Sequence, residues 1–170
     1  MADLPNTALT ILATLAWVVA SAPKLSLLGS AANWGAADVA WLSIYFAFGG
    51  ALLAARFSPR PLRFVIAQSA CAFLILLLGM PHFEGALFAV VAAQFGLVVG
   101  PRVAVLWVFA QAVPLAIVIW PSHQRDGTFK ATLEYVGFSL FSMTTVLLFE
   151  KEKRARQELG AINGELLRTR

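Results

Sequence analysis

The chain has 170 residues, 59% of them hydrophobic and only 13% charged, with a formal net charge of +4. Globular domains carry about twice that charged share, so a water-soluble domain is excluded. The small positive balance then reads as a membrane-topology signal rather than a nucleic-acid footprint. The lone cysteine, Cys71, lies in an apolar run, which excludes an intrachain disulfide and a cysteine-based metal site.

The charges are clustered. No Asp, Glu, Lys or Arg falls between Arg63 and Glu84, or between Glu84 and Arg102. Each run is long enough for a helix to cross a hydrocarbon layer ~30 Å thick. The runs lack the period-2 alternation of barrel strands, and polar backbone must be satisfied in lipid, so helices are expected. Six spans follow in chain order: Thr7–Ala22, Ala37–Ala55, Arg63–Met80, Gly85–Gly100, Arg102–Trp120 and Ala131–Phe149. The expected fold is all-α, a polytopic six-helix transmembrane bundle over residues 1–149, followed by a cytoplasmic coiled-coil-like helix over 150–170.

The first span invites comparison with a signal peptide, because ASA precedes Pro23. The N-terminus nevertheless holds Asp3 and no Lys or Arg, and a proline would follow the cut. A retained helix is expected; cleavage would leave five spans. Further along, Pro61, Pro81, Pro101 and Pro121 recur at an interval of 20 residues. Proline suits the first turn of a helix and not its interior, so these positions predict tight hairpins. The sequences between them do not resemble one another, and membrane thickness rather than duplication sets the interval.

Orientation follows from the basic residues. Arg56, Arg60 and Arg63, then Arg102, then Lys151, Lys153, Arg154 and Arg156 occupy alternate connections and the tail. Six helices place them on one side, the cytoplasmic side of a bacterial inner membrane, with both termini there. Trp34, Trp41 and Trp120 fall near the opposite boundary, as interfacial anchors do.

Catalytic motifs are absent: there is no phosphate-binding loop, no His/Glu zinc pair on one helix and no nucleophile elbow. No catalytic residue, metal site or cofactor is expected, and this chain by itself is not read as an enzyme. His82 and His123 lie in outer loops, either as solvated turn residues or as a pair that shares a metal or responds to pH. Glu134 lies about one turn inside the sixth span. It is either a sensing carboxylate or an interfacial one paired with Lys130 at i, i+4. Asp38 reads as a helix-start acid. Gln68, Gln94 and Gln111 are polar within spans, and Pro114 is expected to break the fifth helix. They hold the bundle together by hydrogen bonds, or Gln94, Gln111 and Pro114 line a ligand pocket. Gly49, Gly50 and Gly96 are expected to permit close helix contact.

Beyond Phe149 the character changes to EKEKRARQELGAINGELLRTR. Ala155, Leu159, Ile162 and Leu166 are spaced 4, 3, 4, the seam of a coiled coil, and the register runs back through Glu152 to Leu148. Gly160 and Gly164 weaken this helix by about 1 kcal/mol each relative to Ala. Two such heptads are marginal alone, which suits a seam whose packing is meant to change.

RARQELGAINGELLRTR resembles the signalling helix of bacterial sensor histidine kinases of the class that pairs with LuxR-type response regulators. FEGALFAVVAAQFGLVVGPRVAVLWVFAQA is similar to the compact multi-helix sensors of these kinases. The resemblance implies a homodimeric sensor and transmitter that passes a membrane or small-molecule signal through the sixth helix. The recipient would be a kinase core, and through it a response regulator. The core's phosphoacceptor motif and ATP-binding domain are not in these 170 residues. The expected partners are the lipid bilayer, a second copy, the kinase domain and the regulator, with no nucleic acid. A small transporter or channel, or a receptor for another output such as a cyclase, stands as the alternative.

Overall fold

The computed structural model describes residues 11, 13–19, 35–78, 85–120 and 125–168, and all the regular structure among them is helical. Helical residues 13–19 belong to α1; α2 is Ala36–Phe57, α3 Pro61–Leu78, α4 Gly85–Val99, α5 Pro101–Ile119 and α6 Arg125–Arg168. Pro61 and Pro101 open α3 and α5, as the punctuation predicts. Pro81 and Pro121 lie outside the described residues, as do His82, His123, Trp34 and the ASA segment before Pro23. At the α2 start the Asp38 carboxylate accepts the Gly35 N–H at 3.2 Å, closing the helix end. The α4–α5 turn needs Gly100, whose φ of 89° lies in the left-handed region.

α4 is the central helix. It packs on α3, α5 and α6, and Leu87, Phe88, Val91, Ala92 and Phe95 are buried on several sides of it. A helix hydrophobic all round belongs in an interior, which accounts for the purely apolar run read from Gly85. α2 packs on α3, and Trp17 of α1 stacks on Tyr45 of α2 (5.0 Å, 13° between planes). The Trp17 indole N–H donates to the Tyr45 carbonyl at 3.1 Å, and the Tyr45 hydroxyl donates to the Trp17 carbonyl. Trp41 stacks on the other side of Tyr45 (5.1 Å, 8°) and is only 2% exposed. It therefore packs inward instead of facing the interface as an anchor, because two ring faces give it more contact than headgroups would.

Four of the described helices are long and apolar enough to cross a membrane: α2, α3, α5 and α6, the last over Gly127–Arg168. α4 is a shorter apolar helix. These features agree with a multi-pass membrane protein.

Two further expectations need correction. α5 runs unbroken through Pro114. The proline removes one backbone donor and exposes the Ala110 carbonyl, yet the flanking turns keep the helix going. Pro114 itself is exposed, on the outer face of α5. The sixth helix also begins about six residues before the expected Ala131, at Arg125, and Thr128 is already buried against the bundle at 3% exposure.

Candidate functional site: a buried amide network and an unbroken sixth helix

Contacts between helices fix their relative directions. Phe73 meets Phe88 edge-on at 4.9 Å and Gln68 meets Gln94, so α3 and α4 are antiparallel. Gly85 lies against the Tyr135 ring and Gly96 against Met143 and Leu147, so α4 and α6 run parallel. It follows that Arg63 at the start of α3, Arg102 after the α4–α5 turn, and Lys151 to Arg156 on α6 lie at one end of the bundle. Arg56 and Arg60 join them through the short α2–α3 turn, whose Ser58 hydroxyl accepts the Arg60 N–H at 3.1 Å. Glu134 is at the other end, beside the Gly85–Tyr135 contact.

The interior polar groups are paired. Gln68 is fully buried, and its amide exchanges two hydrogen bonds with that of Gln94, at 3.2 and 3.0 Å. One residue on, buried Ser69 accepts from the Gln111 amide of α5. Helices α3, α4 and α5 are thus held by a network set roughly 10 Å inside the Pro61 end of α3, counting 1.5 Å per residue. The structure brings together Gln94 and Gln111 through α3, and leaves Pro114 and Glu134 out. Sequence reasoning named Gln68, Gln94 and Gln111 as bundle hydrogen-bonding groups but neither their pairing nor Ser69, because spacing on one helix says nothing about which helix faces it.

A buried amide that loses its partner costs about 1–3 kcal/mol in water-soluble proteins and nearer ~0.6 in membrane bundles. Gln68→Leu is therefore expected to lower the melting temperature in detergent by orphaning Gln94, while Gln68→Leu with Gln94→Leu recovers most of the loss. A double variant no better than the single one would show that the pair contributes more than mutual satisfaction.

Glu134 has a 57% exposed side chain and lies 4.0 Å from the Lys130 ammonium, itself 80% exposed. This is the interfacial pair that the i, i+4 spacing predicts, worth at most ~0.5 kcal/mol. Glu134→Gln is expected to leave stability within that margin; a change in the pH response of the intact protein would support the sensing reading, and an unchanged one the interfacial reading.

α6 is the other candidate. Its inner face carries Thr128, Tyr135, Ser139 and Met143 against the bundle. It then continues without interruption past Phe149 to Arg168. Its length of 44 residues corresponds to roughly 66 Å, twice the hydrocarbon thickness. Along the extension Arg154 approaches Glu150 at 3.9 Å and Arg156 pairs with Glu152 at 2.5 Å, both at i, i+4. Leu148, Leu159, Ile162 and Leu166 are 61%, 62%, 55% and 59% exposed, and Ala155 is exposed as well. The seam residues are thus exposed along one helix. Among the described residues no cluster of His, Cys, Asp or Glu could hold a metal.

Comparison with known proteins finds no matching family model, no curated relative and no similar solved structure.

Proposed function

We propose that this chain is the sensor and transmitter module of a two-component sensor histidine kinase, in a bacterial inner membrane. Its six spans form the sensor, with the basic end and both termini in the cytoplasm. α6 carries the signal to a kinase core outside these 170 residues. The observation that supports this reading best is the single unbroken α6, which begins among the bundle helices and ends as a charged helix with an apolar 4-3 seam. A rod of this kind couples the two ends because a shift or rotation at the bundle must appear at the seam.

Two of the features also weigh against the transporter reading. The interior amides are mutually satisfied, and the only helix-interior proline on α5 faces outward. Transporters place broken helices and unpaired polar groups around a midplane site. The seam is short and weakened by Gly160 and Gly164, at each of which a Cβ would meet nothing within 4 Å. Such glycines lower helix stability without serving packing, which keeps two seam arrangements close in energy. Lipid state, a small hydrophobic molecule or membrane stress are the stimuli that a bundle with short loops can read.

The test is a graft. Residues 1–170, joined in heptad register to the phosphotransfer and ATPase domains of a soluble histidine kinase, are expected to set its autophosphorylation in vesicles. That level should shift with acyl-chain length or packing. Phosphorylation equal to that of the core alone, whatever the vesicle, would contradict the reading.

A further inference from the structure

The connection between α2 and α3 reads RFSPRPLR over residues 56–63 and carries Arg56, Arg60 and Arg63. No Asp or Glu lies in the sequence between Asp38 and Glu84, so neither helix end brings an acid to this turn. Arg60 and Arg63 are exposed, and neither forms an ion pair among the described residues. The tail differs, because Arg154 and Arg156 already stand beside Glu150 and Glu152. Arg102 differs again, as the only Lys or Arg between Arg63 and Arg125.

We propose that the α2–α3 turn binds the headgroup of an acidic phospholipid, with its arginines on the phosphate and the acyl chains along the outer faces of α2 and α3. The site goes beyond the sensor reading and does not depend on it.

The turn is shaped before any lipid arrives. Pro59 and Pro61 fix their own φ angles, Ser58 is extended (φ −88°, ψ 138°), and its hydroxyl accepts the Arg60 N–H at 3.1 Å. A preformed turn loses little entropy on binding. All three cations are arginine, whose planar guanidinium bonds two phosphate oxygens together. Both flanking helices are long and apolar enough to span, which puts the turn at the membrane surface. The apolar surroundings then select a lipid over a soluble phosphate. Phe57 is 81% exposed beside the arginines, with the Arg56 guanidinium 5.8 Å from its ring. Running inward from there, Leu53 on α2 and Leu62 and Ile66 on α3 are 51%, 37% and 46% exposed. An occupant that matches both parts is anionic at one end and apolar at the other. A zwitterionic headgroup fits less well, because its own ammonium would stand among three cations with no acid to receive it.

The full chain, purified in detergent, is titrated with phosphatidylglycerol or with phosphatidylcholine of the same acyl chains, and bound lipid is counted by native mass spectrometry. Phosphatidylglycerol is expected to bind several-fold more tightly. Arg60→Gln and Arg63→Gln should each weaken it about fivefold, the share of one basic residue near an anionic surface, and leave phosphatidylcholine binding unchanged. Arg60→Lys, which keeps the charge and loses the two-pronged bond, should fall between parent and Arg60→Gln. Arg102→Gln should stay at the parent level. Both tested positions are exposed, so melting without lipid should not move, which separates a lost site from a lost fold. Equal affinity of the parent chain for the two lipids would overturn the proposal. A loss from Arg102→Gln as large as that from Arg60→Gln would also overturn it, as diffuse surface charge. Displacement of phosphatidylglycerol by an equal concentration of inorganic phosphate would overturn the lipid as occupant.

Discussion

Ile162→Asp is expected to abolish crosslinking between the tails of two chains in membranes. In one chain Ile162 is 55% exposed, so the substitution removes little packing from the bundle. Its effect appears only where a second α6 covers it. There each helix loses side-chain burial worth about 2 kcal/mol, and two carboxylates are brought face to face at a d position. Reporter cysteines at Ala155 measure the loss, and Leu159→Asp should match it. Gln157→Asp, on the far side of the helix, should leave the dimer band intact. If Ile162→Asp and Gln157→Asp behave alike, the seam is not an interface.

Gly85→Leu is expected to destabilise the bundle by about 1–3 kcal/mol, the usual range for overpacking a fitted contact. A Cβ at Gly85 would overlap the Tyr135 ring, and that ring is backed by Phe88 at 6.4 Å, so it has little room to swing away. The substitution acts at the contact that sets α4 against α6, and so should also displace α6. Gly50 is the natural control: a Cβ there meets nothing within 4 Å, and Gly50→Leu should stay within ~0.5 kcal/mol, as surface changes do. Thermal unfolding in detergent compares the two directly, and an equal shift would show that α4 and α6 do not need the glycine.

The sequence carried the helices because each of their causes is local. Charge-free runs gave α3 and α4 to within a few residues, and proline at Pro61 and Pro101 marked helix starts through a constraint that acts on one residue alone. Asp38 was legible as a helix-start acid for the same reason. Of the glycines expected at close contacts, Gly49 lies 2.6 Å from the Trp17 ring by the position of its would-be Cβ, and Gly96 2.8 Å from Met143, whereas Gly50 faces open space. A glycine announces that a helix can approach, and only the neighbour decides whether it does.

Pairings between helices were not legible. The Gln68–Gln94 exchange and the Trp17–Tyr45 stack join residues 26 and 28 apart in sequence, across helices whose adjacency no periodicity encodes. Continuity, by contrast, was legible: the register carried back through Glu152 to Leu148 points to a seam that continues from span six, and α6 passes Phe149 without a break. Helix continuity depends on backbone and propensity, and EKEKRARQEL is as good a helix as the apolar run before it. The seam register was legible throughout, since it is a property of one helix; what covers it is a property of two.

The central claim is that α6 transmits by being one continuous rod in a fixed register. Insertion of one to seven alanines between Phe149 and Ala155, in the grafted kinase, tests it most directly. Each residue turns the downstream seam by roughly 100°, so autophosphorylation is expected to rise and fall with insert length and to return to the parent level at seven residues, one heptad. Autophosphorylation that stays level across all seven insertions would contradict a register-locked rod and leave α6 as a tether alone.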